Sequence, residues 1–231
     1  VGCNFANDVY DSEKGADTGD RLGPPRAVQL GLLTPAAMKR GMLVAFALAA
    51  VAGAYLVALA GWPVVAIGVA SIAAAWAYTG GPYPLGYHGL GDVAVFVFFG
   101  LVAVAGTEYV QSLRFSTEAL AAAVPVGALA TSVLVVNNLR DVETDRVAGK
   151  RTLAVRLGAD GARLEYAALV LGPYALLPAY AWLAGQGVGV LLPFATLPLA
   201  LRLVRRVRGG AAGPALNPVL GESAQLGLLF S

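Results

Sequence analysis

Six stretches of this chain, 41–60, 62–79, 92–110, 117–138, 163–184 and 187–204, are almost wholly apolar and each is close to twenty residues long. A helix rises about 1.5 Å per residue, so roughly 20 apolar residues cross the hydrocarbon core of a bilayer. No stretch shows the two-residue alternation of a membrane β-strand. The chain has mean hydropathy +0.69 and is 58% hydrophobic and 13% charged, whereas a water-soluble domain carries about a quarter charged residues. The expected fold class is therefore an all-α integral membrane protein, a bundle of transmembrane helices.

The connections divide into two kinds. Those around 13–40, 80–91, 139–162 and 205–218 are long, and those near 61, 111–116 and 185–186 are short. Of the sixteen Lys and Arg residues, only Arg114 lies in the short set. Basic residues collect on the cytoplasmic side, which places the long loops there. A net charge of +2 gives no basis for binding nucleic acid. A single cysteine, Cys3, excludes an internal disulfide, and a single histidine, His88, excludes a His-rich metal site. Residues 1–12 read as the end of an earlier helix and 219–231 as the start of a later one. With Val1 in place of a start methionine, the expectation is one transmembrane domain, residues 1–231, shortened at both ends.

Two groups of carboxylates and amides interrupt this apolar pattern. In "NNLRDVETDR", Asn137, Asp141 and Asp145 follow one another at intervals of four. On a helix that spacing puts all three on one face, along about two turns. In "NFANDVYDSEKGAD", Asn4 and Asp8 are four apart and Asp11 comes three later. Asn7, Asp17 and Asn138 flank the two groups and are further candidates. Carboxylate and amide oxygens are hard ligands suited to Mg2+, which usually takes one or two carboxylates and completes its shell with substrate phosphates. Asn4, Asp8, Asp11, Asn137, Asp141 and Asp145 are the expected metal ligands, with Asp8, Asp11, Asp141 and Asp145 the catalytic carboxylates. Arg21, Arg26, Arg140, Lys150 and Arg151 stand nearby in sequence and are the expected diphosphate-binding cations. A single Asp at a helix end is usually a cap or a solvated charge. Two such groups at the same end of the bundle, each beside a basic loop, call for a function.

The loop "YTGGPYPLGYHGLGD" lies between the two groups in sequence. Tyr78, Tyr83 and Tyr87 offer aromatic faces that stabilise a carbocation and hydroxyls for an aromatic acceptor, and His88 can bind or deprotonate a phenol. The plainer account is that the Gly and Pro residues only shape a turn and Asp92 only caps the following helix.

The stretches "NDVYDSEKGADTGDRLGPPRAVQLGLLTP", "YTGGPYPLGYHGLGDVAVFVFFGLVAVAGTEYVQ", "NNLRDVETDRVAGKRTLAVRLG" and "LNPVL" resemble the UbiA superfamily of intramembrane prenyltransferases. Within it, the chain is most similar to the branch that prenylates 1,4-dihydroxy-2-naphthoate in menaquinone biosynthesis. The resemblance covers nearly the whole chain. It implies about nine transmembrane helices around a central cavity open to the cytoplasm and to lipid, with the first helix preceding Val1. It also implies an inner-membrane location, a cytoplasm-facing site, Mg2+ as cofactor (two ions), and a polyprenyl diphosphate and 1,4-dihydroxy-2-naphthoate as substrates, the greasy tail lying in membrane lipid. The first motif departs from a clean NxxxDxxxD, because Ser12 stands four after Asp8. A UbiA-type enzyme acting on 4-hydroxybenzoate, homogentisate or haem is the alternative within the superfamily. A cation transporter is the alternative outside it, and it calls for carboxylates at mid-membrane depth.

Overall fold

A computed structural model of the chain describes residues 1–16, 22–183 and 188–231, and among these all regular structure is helical. Helix α1 (Gly2–Glu13) precedes a long loop that returns to pack on it. Thr34 then caps α2 (Pro35–Ala60), its side chain accepting from the Ala37 N–H, with proline in the first turn, where no amide hydrogen is needed. Gly61, at φ 79°, both ends α2 and begins α3 (Trp62–Ala77). A residue with a Cβ would be strained in that conformation, so glycine permits the hairpin. After a 3-10 turn at Leu85–His88 comes α4 (Gly91–Ser112), which is π-helical over Phe96–Val102. Helix α5 (Thr117–Arg140) is capped by Ser116 and followed by the short α6 (Val142–Val147). Helix α7 (Leu153–Leu183) is broken at Gly158, and α8 (Leu197–Arg208) and α9 (Asn217–Phe230) complete the bundle.

Four helical segments among the described residues are long and apolar enough to cross a membrane: α2, α4, α5 and Val188–Arg208, the last joining a 3-10 stretch to α8. Apolar α3 is shorter, at 16 residues. The apolar stretches read from the sequence coincide with α2, α3, α4, α5, α7 and Val188–Arg208. Leu43, Val44, Leu48, Val51, Tyr55 and Leu59 of α2 all lie exposed. So large an apolar face is compatible with lipid and not with water.

The core lies among α5, α7, α8 and α9, built on Leu129, Leu139, Tyr166, Val170, Leu203 and Leu226. Lipid tails are as apolar as leucine, so close packing and buried hydrogen bonds hold such helices together. Tyr166 Oη and Ser223 Oγ meet at 2.8 Å between α7 and α9. Helices α4 and α5 cross closely at Gly100 and Gly127, where a Cβ on Gly100 would lie 2.5 Å from the Gly127 Cα.

The connections sort to opposite ends of the bundle. At one end, Arg26 reaches α1, Arg140 reaches Asn217, and the Arg151 N–H donates to the Tyr87 carbonyl. At the other, Tyr109 Oη donates to the Ala60 carbonyl, and Glu108 accepts from the Ser116 N–H and hydroxyl. The long loops therefore share one end, as the distribution of basic residues requires.

Candidate active site

A cavity of about 580 Å³ opens where α1, α5 and α6 meet the long loops. Its polar half is lined by Asn4, Asn7 and Asp11 from α1 and by Asn137, Asn138, Asp141 and Asp145 from the α5–α6 junction. The sequence places these two groups 126 residues apart, counting from Asp11 to Asn137, and the fold brings them to one space.

The α5–α6 group keeps its shared face although the helix does not continue through it. Arg140 ends α5, and Asp141, at φ −97° and ψ 9°, is the joint between α5 and α6. The four-residue hydrogen bonds persist across the joint, with Asp141 N–H to the Asn137 carbonyl at 3.2 Å and Asp145 N–H to the Asp141 carbonyl at 2.8 Å. The helix read over 117–138 runs on to Arg140, and the shared face survives the joint because those two bonds do.

On α1 the face that lines the cavity is Asn4–Asn7–Asp11, at intervals of three and four. Asp8 is not among the lining residues. It is buried, and its two oxygens accept the backbone N–H groups of Ala27 and Val28 at 3.1 and 3.2 Å. Each helical residue turns the face by about 100°, so Asn7 and Asp8 cannot share one. Asp8 fastens the returning loop.

Asp11 is only 2% exposed and is fully engaged. Its Oδ2 lies 2.7 Å from Arg26 Nη1 and 3.1 Å from Lys150 Nζ, and its Oδ1 accepts from Tyr87 Oη at 2.7 Å. Burial in this last turn of α1 works against the charged form. The Lys150 and Arg26 cations and the Tyr87 hydroxyl outweigh it and hold the carboxyl below the usual carboxylate range. Arg26 also donates to the Asn7 carbonyl, and Thr79 Oγ1 donates to Asn7 Oδ1 at 2.9 Å.

The expected diphosphate cations separate into three groups. Arg26 and Lys150 line the cavity. Arg140 does not: it is buried, and it donates to Asp141 Oδ1 and Oδ2 at 2.8 and 2.6 Å, to Asn137 Oδ1 at 2.8 Å and to Asn217 Oδ1 at 3.0 Å. It fixes the orientation of the Asn137 and Asp141 side chains. Arg151 lines a second cavity. Arg21 and Asp17 lie outside the described residues. Of the aromatic loop, Tyr78 and Tyr87 line the main cavity, while His88 lines the second and stacks on Tyr83 at 3.7 Å between ring centroids.

Beyond the polar half, Ser71, Ala74 and Ala75 of α3 and Phe98, Phe99 and Ala103 of α4 line an apolar arm. Sequence reasoning did not single these out, nor Thr79, Thr144 and Thr152, which line the polar half. The small residues at 71, 74 and 75 are the trace of the arm in the sequence, since they leave room on one face of α3. Phe99 is 63% exposed, so the arm reaches the outer apolar surface of the bundle.

The seven oxygen donors of the polar half suit Mg2+ in kind. Among the described residues no three acidic, His or Cys side chains are grouped around one point, and Asp11 and Asp141 are paired with Arg26, Lys150 and Arg140.

The model of the UbiA prenyltransferase family matches residues 1–214. The chain is 45% identical over 227 residues to a 1,4-dihydroxy-2-naphthoate octaprenyltransferase of Mycobacterium leprae (strain TN), covering 96% of this chain and 74% of that protein. It is 45% identical over 235 residues to the protein of the same name from Mycobacterium tuberculosis (strain ATCC 25618 / H37Rv), covering 100% and 78%. With the like-named protein of Escherichia coli (strain K12) it shares 38% over 232 residues, covering 98% and 75%. An oxygen-lined cavity with an apolar arm, in a bundle of apolar helices matched along most of its length, makes this chain a multi-pass membrane protein that belongs to the UbiA prenyltransferase family.

Proposed function

We propose that the chain transfers a polyprenyl group from an allylic polyprenyl diphosphate to 1,4-dihydroxy-2-naphthoate, in the biosynthesis of menaquinone. The observation that carries this reading is the single cavity in which two Asn/Asp groups from distant helices meet an apolar arm. It is supported by the 45% identity to proteins named for that reaction.

Asn4, Asn7, Asp11, Asn137, Asp141 and Asp145 are the residues that would hold Mg2+. Bound there, Mg2+ supplies charge neutralisation for the diphosphate and makes it a better leaving group. Arg26 and Lys150 now pair with Asp11. As the diphosphate enters, they exchange that carboxylate for its oxygens and free Asp11 for the metal. They also stabilise the charge that gathers on the leaving group as the C–O bond breaks. Tyr78 and Tyr87 border the same space and present electron-rich faces to the developing allylic cation. The naphthoate ring supplies the electron pair of the new C–C bond, and its carboxylate leaves as CO2 while the ring regains aromaticity. The products are diphosphate, CO2 and demethylmenaquinol, the reduced form of demethylmenaquinone. The prenyl tail lies along the apolar arm and passes Phe99 into lipid, which it leaves only at high cost. The site faces the cytoplasm of the inner membrane, where basic loops belong.

The test uses membranes carrying the protein, a polyprenyl diphosphate and naphthoate labelled at its carboxylate, with Mg2+ or with EDTA. Labelled CO2 and a prenylated naphthoquinol, both lost with EDTA and in Asp141→Ala, are the expected result. Turnover with 4-hydroxybenzoate or homogentisate but not naphthoate refutes the acceptor. No turnover with any acceptor in folded protein refutes the reaction and favours an ion path.

A further inference from the structure

A second cavity, of about 340 Å³, lies against the first and shares Tyr87 with it as a wall. Its charged lining is wholly basic: Lys14, Arg151 and Arg156. Among the described residues none of the three forms an ion pair, while Arg26, Arg140 and Lys150 in and behind the main cavity all do. Arginines that only set membrane topology have no reason to converge on one concavity. Burial lowers the Lys14 ammonium from the usual lysine range, an effect that Asp11 opposes and Lys150 reinforces.

The concavity is held in shape by the backbone. The Arg151 N–H donates to the Tyr87 carbonyl at 3.0 Å, and Arg156 Nε donates to the Arg151 carbonyl at 3.2 Å. His88 is fixed by a 2.9 Å hydrogen bond between Nδ1 and the Pro84 carbonyl and by its stack on Tyr83. The flat rings, the Arg156 guanidinium held at its Nε and the neighbouring Arg151 together suit a planar aromatic anion.

We infer that this cavity is an antechamber that binds the carboxylate of the aromatic acid before the ring passes Tyr87 to the reaction cavity. The inference rests on the proposed function and deepens it. The acid arrives from water, and both arginines are exposed at the loop end of the bundle. The diphosphate is served elsewhere: the second cavity is lined by no Asp, Glu or Asn, among the described residues, for the metal that travels with it. The size lies within the range of small-molecule sites, about 300–1,000 Å³.

The experiment compares Arg151→Gln, Arg156→Gln and Arg156→Lys with the parent in membranes, varying naphthoate and polyprenyl diphosphate in turn. Each Gln variant is expected to raise the KM for naphthoate by about tenfold, the scale of one charge-assisted hydrogen bond. The KM for the diphosphate and kcat stay unchanged, and Arg156→Lys restores part of the loss. A rise in the KM for diphosphate instead, a fall in kcat alone, or no change in either KM overturns the antechamber. Binding of naphthoate to solubilised protein, read from the fluorescence of the naphthoate without diphosphate present, separates the two ideas. A parent that binds the acid through these arginines but does not turn it over leaves the site and removes the reaction. A parent that turns it over while both Gln variants bind it normally leaves the reaction and removes the site. Competition of inorganic diphosphate for the naphthoate signal would assign the cavity to phosphate and overturn the carboxylate.

Discussion

Replacing Arg140 with methionine separates two roles that the sequence could not. The guanidinium makes four hydrogen bonds, to Asn137, to both oxygens of Asp141 and to Asn217. Its side chain is 2% exposed and that of Asp141 14%, so water replaces only part of what is lost. Removing one partner of a buried ion pair costs about 3–5 kcal/mol. Polar contacts in membrane proteins run weaker than in soluble ones, which favours the lower end, about 3 kcal/mol, or roughly 150-fold in the folding equilibrium. Arg140→Lys keeps the charge but not the two-pronged grip on Asp141 and should fall between. Unfolding in detergent micelles reads the stability. In turnover, kcat should drop because Asn137 and Asp141 lose their orientation, while the KM for polyprenyl diphosphate holds. A variant that unfolds like the parent and shows only a raised KM for diphosphate would refute this reasoning, because the guanidinium would then be meeting the substrate.

Asp8→Asn should cost about 1–3 kcal/mol of stability, the range for a hydrogen-bonded charged group, yet keep most turnover. Asp11→Asn should lower kcat at least roughly a hundredfold, as loss of a charge-stabilising group does. Equal losses of turnover in both variants would put Asp8 back in the site. Gly100→Ala forces a Cβ to 2.5 Å from Gly127 and should destabilise by about 1–3 kcal/mol, read by thermal unfolding in micelles. Tyr166→Phe leaves Ser223 without its 2.8 Å partner between α7 and α9 and should cost about 1 kcal/mol in the same measurement.

The helices were legible because lipid imposes one rule along the whole chain, and the stretches at 41–60, 92–110 and 117–138 fall inside α2, α4 and α5. Asn137, Asp141 and Asp145 were legible because a period of four survives the joint at Asp141. The α1 group was ambiguous, since intervals of 4–8 and of 4–7–11 both describe a helical face. The loop at Ala27 and Val28 decides between them, closing on Asp8 from 19 and 20 residues away. Neighbouring cations likewise part company: Lys150 reaches Asp11, whereas Arg151 enters the second cavity. Consecutive side chains point in different directions, and only the folded loop fixes the direction of each.

The π-helical turn at Phe96–Val102 gives α4 two phases in one rod. Such a turn holds one residue more than the regular ladder, so the residues after it are rotated by about 100° relative to those before it. Upstream, that phase leaves Ala94 and Val95 on the cavity wall; downstream, it delivers Tyr109 to Ala60 and Glu108 to Ser116 at the opposite end of the bundle. Deleting a single residue from this segment would leave the span as apolar as before. It would nonetheless swing the far half of the helix off its anchors, like a gear remeshed one tooth out. Along α4, length in residues is thus a constraint separate from composition.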